Sequence, residues 1–492
     1  MSYHPHRPEL HVSPEQGILK APAGALKVGE NWHIFHQYEP ALGAPARIAH
    51  QFAEQLPFEW DLCDDVVAAV EGETKVRAGS IIGLEDGSVE LFFTSITESG
   101  TSVHVAVIDD IDDTTDSISD DALAIDPGVR RVGAVVSDRD GFIDFRSPCV
   151  VAQWQDDALA GWLMLAVSGP QEHPVLVVLE SADRRDWNLL GPLTFNGTTG
   201  LEGISRIVSP RIIQLRDEVD SKIYDVLLVT LEHEGIDISG YLVGCLEGTT
   251  FEVKTPFTRL DFGHDFTRPR NTNTVVGAAL EHPDYSAGVI FGLLNGIGRF
   301  DEPREHLSLT EEGWANCLSL PRLTTLQDGL IYQTPAPGLP AFVSNSERAA
   351  MYSAIIDTSA ADAAIRVELV DSEGKVAASV THFGDTIELD RSMNPAHEGD
   401  YIAEGPLVAA DTDAMTIVVD GSTVEVFADG GALAMASRVY FPTQFAEFRV
   451  IVSGDATIER DMDIFPFDYS VLPALADTEL PEFEPQLAGE ED

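Results

Sequence analysis

The densest group of polar side chains capable of chemistry lies in the stretch LDFGHDFTRPR, residues 260–270. A histidine directly beside an aspartate can act as a general base, because the carboxylate orients the imidazole and stabilises its protonated form. Such a group is more often a hydrogen-bonded loop, which is the favoured interpretation here. The candidates in this stretch are Asp261, His264, Asp265, Arg268 and Arg270.

Single polar residues elsewhere offer weaker candidates. Arg146, in FRSPCVV, could bind an anionic ligand through two guanidinium nitrogens. A structural arginine bonded to a carbonyl or carboxylate is the favoured interpretation. His4, His6 and His11 could bind a metal at their HPH spacing, but we expect them to be solvated in an N-terminal arm.

Composition limits the classes of partner. The 82 acidic and 30 basic residues give a formal charge of -52, so we expect neither nucleic acid nor an anionic membrane as a partner. No apolar run approaches the ~20 residues of a membrane span, and MSYHPHRPEL does not resemble a signal peptide, so a cytoplasmic protein is expected. The cysteines form no C-x-x-C pair. They predict buried, reduced thiols, and no metal or other cofactor is expected.

The elements that must position these residues are strands. Runs such as WHIFHQY, SVHVAVI, GWLMLAVSG and YDVLLVTLE are strand-length, rich in β-branched and aromatic residues, and separated by Gly, Asp, Asn or Pro. Many evenly spaced strands over the first 335 residues favour a β-propeller over a single sandwich. The fold class is therefore all-β.

The alternation of apolar and polar residues becomes stricter after TPAPGLP, residues 334–340. VDGSTVEVF predicts two strands joined by an Asp-Gly turn, and residues 341–467 are predicted to form a β-sandwich of antiparallel sheets. Residues 468–492 are acidic and contain proline, which predicts a flexible tail. The domain prediction is therefore a propeller over 1–335, a sandwich over 341–467 and a tail.

Several motifs, in the right order, resemble glycoside hydrolase family 32, the β-fructofuranosidases, levanases and sucrose-phosphate hydrolases. RPELHVSPEQG with WHIFHQYEP resembles the opening motif of that family, and FRSP stands where the family has F-R-D-P. LDFGHDFTRPR, GWANCLSLPR and DGSTVEVFADGGALAMASRVYFP resemble later signatures. The resemblance implies a five-bladed propeller carrying the active site, followed by a β-sandwich.

The family works as retaining glycosidases, which need a nucleophile and an acid/base about 5–5.5 Å apart. Its nucleophile motif W-M-N-D-P-N-G overlays residues 18–24 and places Ala21 at the nucleophile. The third carboxylate of the family becomes Ser147, and the acid/base becomes Val208 when the motif is anchored on Pro210. The run from Gln16 to Gly29 has no acidic residue in any register, so a lost nucleophile is expected.

Neighbouring acids are too distant to substitute. At ~3.3 Å per residue, Glu15, Asp144 and Glu202 would lie about 10–20 Å from the vacant positions along extended strands. The stacking tryptophans of the family are also absent, which argues against a simple fructose lectin. The remaining pocket candidates are Gln37, Arg146, Asp261, His264, Asp265 and Arg268.

The sequence thus predicts a family 32-like protein that has lost fructosidase activity and serves as a carbohydrate-related binding or regulatory protein. Its expected ligand is a small sugar or sugar phosphate. The alternative is an active glycosidase, of β-fructofuranosidase type or altered specificity, that uses non-standard acidic residues. Two carboxyl groups close together at the propeller mouth would favour that alternative.

Overall fold

In the computed structural model, the strands of the described residues form seven sheets. The structure describes residues 5–84, 86–116, 118–155, 158–233, 235–272, 285–295, 302–407 and 413–467. The predicted acidic tail, 468–492, and His4 lie outside these ranges. The all-β prediction is confirmed: sheets of a propeller come first and the two sheets of a β-sandwich follow.

The first three blades follow one another along the chain. In each of them the strands run in order from the propeller axis outward. Blade 1 contains β1 (Gly17–Val28), β2 (Asn31–Glu39), β3 (Arg47–Ala53) and β4 (Asp61–Leu62). Blade 2 contains β5 (Glu73–Gly83), β6 (Val89–Thr97), β7 (Gly100–Ile108), the short helix α1 (Asp113–Asp116) and β8 (Val129–Val136). Blade 3 contains β9 (Arg146–Gln155), β10 (Ala158–Ser168), β11 (Val175–Ser181) and β12 (Asn188–Pro192).

The last two blades complete the ring and close it. Blade 4 contains β13 (Thr194–Asn196), β14 (Ile207–Arg216), β15 (Ile223–His233), β16 (Ile236–Glu247) and β17 (Thr250–Arg259). Blade 5 begins with β18 (Phe266–Thr272) and β19 (Gly288–Leu294), and the chain then passes through a 3-10 turn (Pro303–Glu305) and α2 (Leu307–Glu312). It continues with β20 (Trp314–Ala315), β21 (Cys317–Leu318), β22 (Arg322–Gln327) and β23 (Leu330–Pro335). β20 pairs in parallel with β1, so the end of the propeller is fastened to its beginning.

The sandwich follows α3 (Leu339–Asn345). One sheet contains β24 (Ala350–Asp357), β29 (Asp413–Asp420), β30 (Thr423–Ala428), β31 (Leu433–Arg438) and β33 (Thr457–Ile464). The other contains β25 (Ala364–Asp371), β26 (Val376–Phe383), β27 (Thr386–Asp390), β28 (Ala403–Pro406) and β32 (Phe445–Ser453). Short 3-10 turns lie at Pro395–His397 and Asp429–Gly431. The alternating burial of β25 and β27 matches the predicted one-sided strands.

The innermost strands β1, β5, β9, β14 and β18 contact one another in a closed ring around the propeller axis. Apolar clusters fill the spaces between successive blades, as shown by Phe93 between blades 1 and 2 and Trp162 between blades 2 and 3. Because each blade buries both of its faces, its strands are nearly continuous apolar runs rather than alternating ones. This arrangement fixes the inner strands firmly enough to position side chains at the axis.

The N-terminal arm differs from the prediction of solvated histidines. His6 and His11 are buried, and His11 Nδ1 lies 2.7 Å from Asp420 Oδ2 while its Nε2 lies 3.2 Å from Glu425 Oε1. Asp420 belongs to the predicted Asp-Gly hairpin turn between β29 and β30. The arm is therefore held between propeller and sandwich, because both histidine nitrogens find carboxylate partners there.

The cysteines also depart in part from their prediction. Cys149 and Cys317 are buried free thiols, whereas Cys63 is partly exposed and Cys245 is exposed. Cys245 lies near the C-terminal end of β16, the central strand of blade 4, where its side chain is exposed. The expectation of buried thiols is thus wrong for Cys245.

Candidate functional site

A shared irregularity marks one end of every inner strand. Hydrogen-bond pairing with the next strand of the blade shifts at Ala21 in β1, after Arg77 in β5, near Ser147 in β9, after Val208 in β14 and after Thr267 in β18. These shifts are β-bulges, which bend a strand and re-aim its side chains. They define an axial mouth, where the beginnings of all five inner strands meet.

Proline provides a local reason for these bulges. Ala21, Ser147, Ser209 and Arg268 each precede a proline, which cannot donate a ladder hydrogen bond and is therefore found at bulges and edges. Ser147, Ser209 and Arg268 have φ of 54°, 54° and 50°, in the left-handed region. The sequence thus forms the same local structure in several blades, and by this pattern Ser209 corresponds to Ala21 and Ser147, while Val208 lies one residue earlier.

None of the side chains of Ala21, Ser147 and Val208 carries a carboxylate. Ala21 is buried at 9% exposure, and Ser147 and Val208 are half-buried. The backbone N–H of Ser147 donates to Thr94 Oγ1 at 3.1 Å, and its carbonyl accepts from Arg211 Nη1 at 3.2 Å. The mouth therefore presents a methyl, a hydroxyl and an isopropyl group at these positions.

Among the described residues, one cation from each blade stands beside these bulges. Arg206 pairs with Glu232, and Arg268 Nη2 lies 3.0 Å from Asp237 Oδ2. Electrostatic coupling among Arg77, Arg146, Arg206, Arg268 and Glu232 shows that they lie close together. The five cations are Lys20, Arg77, Arg146, Arg206 and Arg268.

Arg77 and Arg146 are the least neutralised of these cations. Arg146 Nη1 donates only to the carbonyls of Gly169, at 2.6 Å, and Asp144, at 2.9 Å, which fits the predicted structural role. In the part of the chain that the structure describes, the exposed side chain of Arg77 makes no hydrogen bond or ion pair. Desolvation lowers the pKa of both, and the nearby Arg268 lowers that of Arg77 further. A ligand anion would relieve this repulsion.

Gln37 lies at the mouth but is engaged by the fold. It is the cross-strand partner of Ala21, and its Oε1 accepts a hydrogen bond from the N–H of Ala78 at 3.0 Å. It therefore joins blade 1 to blade 2. Arg268 also lies at the mouth, where its Nη1 is 3.4 Å from the carbonyl oxygen of Lys20.

Asp261, His264 and Asp265 lie elsewhere, buried between blade 5 and the sandwich. His264 Nδ1 lies 2.8 Å from Ser437 Oγ and its Nε2 2.8 Å from the carbonyl oxygen of Tyr401. Burial, reinforced by the nearby Arg391, lowers the pKa of His264 to about 4. With both ring nitrogens occupied, the imidazole fits the hydrogen-bonded loop that was the favoured interpretation.

The two aspartates of this group serve the same contact. Asp265 Oδ2 accepts from Arg391 Nη1 and from the backbone N–H of Arg438, both at 2.7 Å. Asp261 pairs with Arg322 at 2.8 Å. The polar stretch at residues 260–270 is thus divided: Arg268 lies at the axis, whereas Asp261 and Asp265 face the sandwich.

Sequence reasoning missed Arg77, Arg206, Glu232 and Asp237 as residues of the mouth. Glu232 and Asp237 face each other across β15 and β16, and each pairs with an arginine. A usable signal was the recurrence of Lys-Ala-Pro, Arg-Ala-Gly and Arg-Ser-Pro at the start of three inner strands. The arrangement is chemically suited to holding an anion, since among the described residues Arg77 and Arg146 have no carboxylate partner there.

No group of three or more His, Cys, Asp or Glu residues in the described ranges is arranged to hold a metal ion. Within the same ranges, no helix has the length and apolar character to cross a membrane.

Comparison with known proteins places this architecture. Residues 11–335 match the glycosyl hydrolases family 32 N-terminal domain, and residues 345–465 match the family 32 C-terminal domain. The chain is 25% identical over 470 residues to a sucrose-6-phosphate hydrolase of Bacillus subtilis, covering 89% of both proteins. It is 22% identical over 470 residues to a raffinose invertase of Escherichia coli, covering 88% of this chain and 89% of that protein.

Solved structures agree on the fold. An exo-inulinase from Aspergillus awamori superposes with a TM-score of 0.73 at 17% identity, covering 94% of this chain and 99% of that one. A Bombyx mori β-fructofuranosidase, solved as a mutant with sucrose, gives a TM-score of 0.68 at 18% identity, with 94% of each chain covered.

Proposed function

The chain belongs to glycosyl hydrolase family 32, and we propose that it binds a sugar phosphate at the axial mouth without hydrolysing it. The observation that carries the proposal is the set of side chains at the three bulges. Ala21, Ser147 and Val208 can neither attack an anomeric carbon nor protonate a leaving oxygen. Removal of a covalent nucleophile alone can lower turnover by factors near 10⁶.

The charge of the mouth supports an anionic sugar. Arg77 and Arg146, which have no carboxylate partner among the described residues, provide positive charge at the mouth of a molecule whose formal charge is -52. A phosphate group offers three strong acceptor oxygens to such guanidinium groups. The Bacillus relative bears the name of an enzyme that acts on a sugar phosphate, which is consistent with this ligand class.

Calorimetry with sucrose 6-phosphate and sucrose tests the binding. We expect sucrose 6-phosphate to bind at least about tenfold more tightly, equivalent to 1.4 kcal/mol, because the phosphate meets Arg77 and Arg146, which have no carboxylate partner among the described residues. Arg77→Gln should remove most of this preference. Arg130→Gln is the matched control, since Arg130 is an exposed arginine of the same blade paired with Asp109. Equal affinities for the two sugars would contradict the proposal.

Glu232 and Asp237 favour a second candidate function, an active glycosidase with non-standard acids. They are cross-strand partners at the mouth, so their carboxylates are close neighbours. Because each carboxylate is paired with an arginine, it is less available as a nucleophile or acid, and the glycosidase is the weaker candidate function. Assays on sucrose, sucrose 6-phosphate, inulin and levan decide between the two. Turnover above the blank that disappears in Glu232→Gln would establish the glycosidase and refute the binding-only function.

A further inference from the structure

A cavity of about 510 Å³ lies on the propeller axis below the mouth. All five inner strands line it, through residues 23–26, 80–83, 149–154, 211–214 and 270–272. Ligand-binding cavities typically have volumes of roughly 300–1,000 Å³. The cavity is therefore large enough for a small molecule and is separate from the three vacant positions above it.

Two arginines, Arg211 and Arg270, line this cavity with side chains that are 2% and 4% exposed. Among the described residues, their acceptors are backbone oxygens and, for Arg211, the sulfur of Cys149, which also lies near Arg270. Arg211 donates to Pro210 at 2.5 Å and to Gly79 at 2.8 Å, as well as to the carbonyl of Ser147. Arg270 Nη1 donates to the carbonyl of Pro269 at 2.9 Å. The Nε atoms of both arginines have no hydrogen-bond partner in the described part of the chain.

Other buried arginines of the described residues show both patterns: Arg438 bonds to Cys317 Sγ at 3.0 Å and to Ser422 Oγ without a carboxylate partner, whereas Arg322 and Arg391 have one. Arg322 pairs with Asp261 and Glu425, and Arg391 pairs with Asp265, at distances of 2.7–2.8 Å. Within the described ranges, neither axial arginine has a carboxylate partner. An isolated buried charge costs several kcal/mol, so a counter-charge placed beside the two axial arginines would be stabilising.

The two axial arginines also oppose each other. Burial lowers the pKa of both, and the proximity of Arg211 lowers the pKa of Arg270 further. The cavity does contain acids, Glu180 and Asp225, but Asp225 faces Gln214 and receives hydrogen bonds from Gln214 and Leu246. Three residues of strand separate Gln214 from Arg211, or about 10 Å. The arginine end of the cavity is therefore cationic.

We propose that the arginine end of the axial cavity binds a small doubly charged oxyanion, either inorganic phosphate or a phosphate monoester, between Arg211 and Arg270. A dianion would neutralise both guanidinium groups, and its oxygens would accept from guanidinium N–H groups that have no acceptor among the described residues, such as those of Arg270 Nη2. Gln153 and Asn271 also line the cavity and could bond the remainder of an ester. This site is independent of the proposed ligand at the mouth.

Phosphate-free full-length protein provides the test. Isothermal calorimetry and thermal unfolding are measured with inorganic phosphate and, separately, with glycerol phosphate, which distinguishes the free anion from an ester. We expect saturable binding and a rise in the unfolding midpoint, because a ligand that binds only the native state stabilises it. If neither inorganic phosphate nor glycerol phosphate binds the parent protein saturably, the proposal is wrong.

Variants locate the binding. Arg270→Gln should weaken phosphate binding at least about tenfold and remove the thermal shift, while Arg270→Lys, which keeps the charge, should retain part of it. Arg216→Gln is the control, since Arg216 is an exposed arginine farther along the strand of Arg211. A general effect of salt should change the unfolding midpoint of the parent, the control and the other variants equally. An equal phosphate shift in Arg270→Gln and the parent would refute the site.

Two further variants separate phosphate binding in the cavity from loss of folding and from binding at the mouth. If Arg270→Gln does not fold, Arg211→Lys replaces it, and unchanged affinity in that variant would likewise refute the site. Arg77→Gln should leave phosphate binding in the cavity intact while removing the sucrose 6-phosphate preference at the mouth. Loss of all phosphate binding in Arg77→Gln would assign the anion to the mouth and contradict the cavity site.

Discussion

Substitution of Glu425 by Gln should destabilise the contact between propeller and sandwich. Glu425 lies on β30 with 0% exposure and accepts from Arg322 Nε at 3.0 Å and Nη2 at 2.7 Å. It also accepts from the backbone N–H of Leu320 at 2.6 Å, and its Oε1 lies 3.2 Å from His11 Nε2. One carboxylate thus joins the N-terminal arm, blade 5 and the sandwich.

The magnitude follows from the partners that remain. Breaking a buried ion pair by removing one member costs about 3–5 kcal/mol, because the other charge stays buried. Arg322 keeps Asp261 at 2.8 Å, so the lower end of that range applies. The amide oxygen can still accept hydrogen bonds through both of its lone pairs, but the NH2 group that replaces the other oxygen faces donors. We expect a loss of about 3 kcal/mol in the free energy of unfolding.

Urea unfolding, followed by far-UV circular dichroism and tryptophan fluorescence, measures this loss. Glu459→Gln is the matched control: Glu459 is exposed on β33 of the same sheet, and its substitution should change stability by no more than about 0.5 kcal/mol. A loss below about 1 kcal/mol for Glu425→Gln would show that the network does not stabilise the fold as inferred.

Three further predictions concern the domain contact and the mouth. The carboxylate partners of His11 outweigh the effect of burial and raise its pKa above 6.5. Its charged form therefore stabilises the fold fully below pH 6.5, and this stabilisation is lost as the pH rises through the raised pKa. The difference in unfolding free energy between the parent and His11→Gln should shrink from pH 5 to pH 9, and a constant difference would refute this. Gly263→Ala should lower the unfolding midpoint, since the added methyl would lie 2.2 Å from a carbonyl oxygen of β31; an unchanged midpoint would contradict that packing. The triple variant Ala21→Asp, Ser147→Asp and Val208→Glu should fold but be less stable than the parent, because it buries carboxylates without partners. It should hydrolyse little sucrose, because carboxylates alone do not restore the sugar contacts. Stability equal to that of the parent would mean that these positions are solvent-exposed.

Local signals were sufficient for the fold. The Asp-Gly dipeptide predicted the hairpin of β29 and β30, and Gly421 has the positive φ, 56°, that such turns require. Apolar runs predicted the propeller strands, and stricter alternation predicted the sandwich, because these patterns depend only on which faces of a sheet are buried. Motif order was sufficient for the family, since the matched domains cover most of the chain.

The sequence alone therefore determined the fold class, the family and the absence of carboxylates between Gln16 and Gly29. Only the tertiary structure decided which polar residues meet. Arg77 and Arg146 lie far apart in sequence yet share the mouth, whereas Arg268 and Asp265, three residues apart, face different surroundings. The reason is geometric: the direction of a side chain depends on strand register and bulges, and the charges it meets come from other blades that local sequence does not specify.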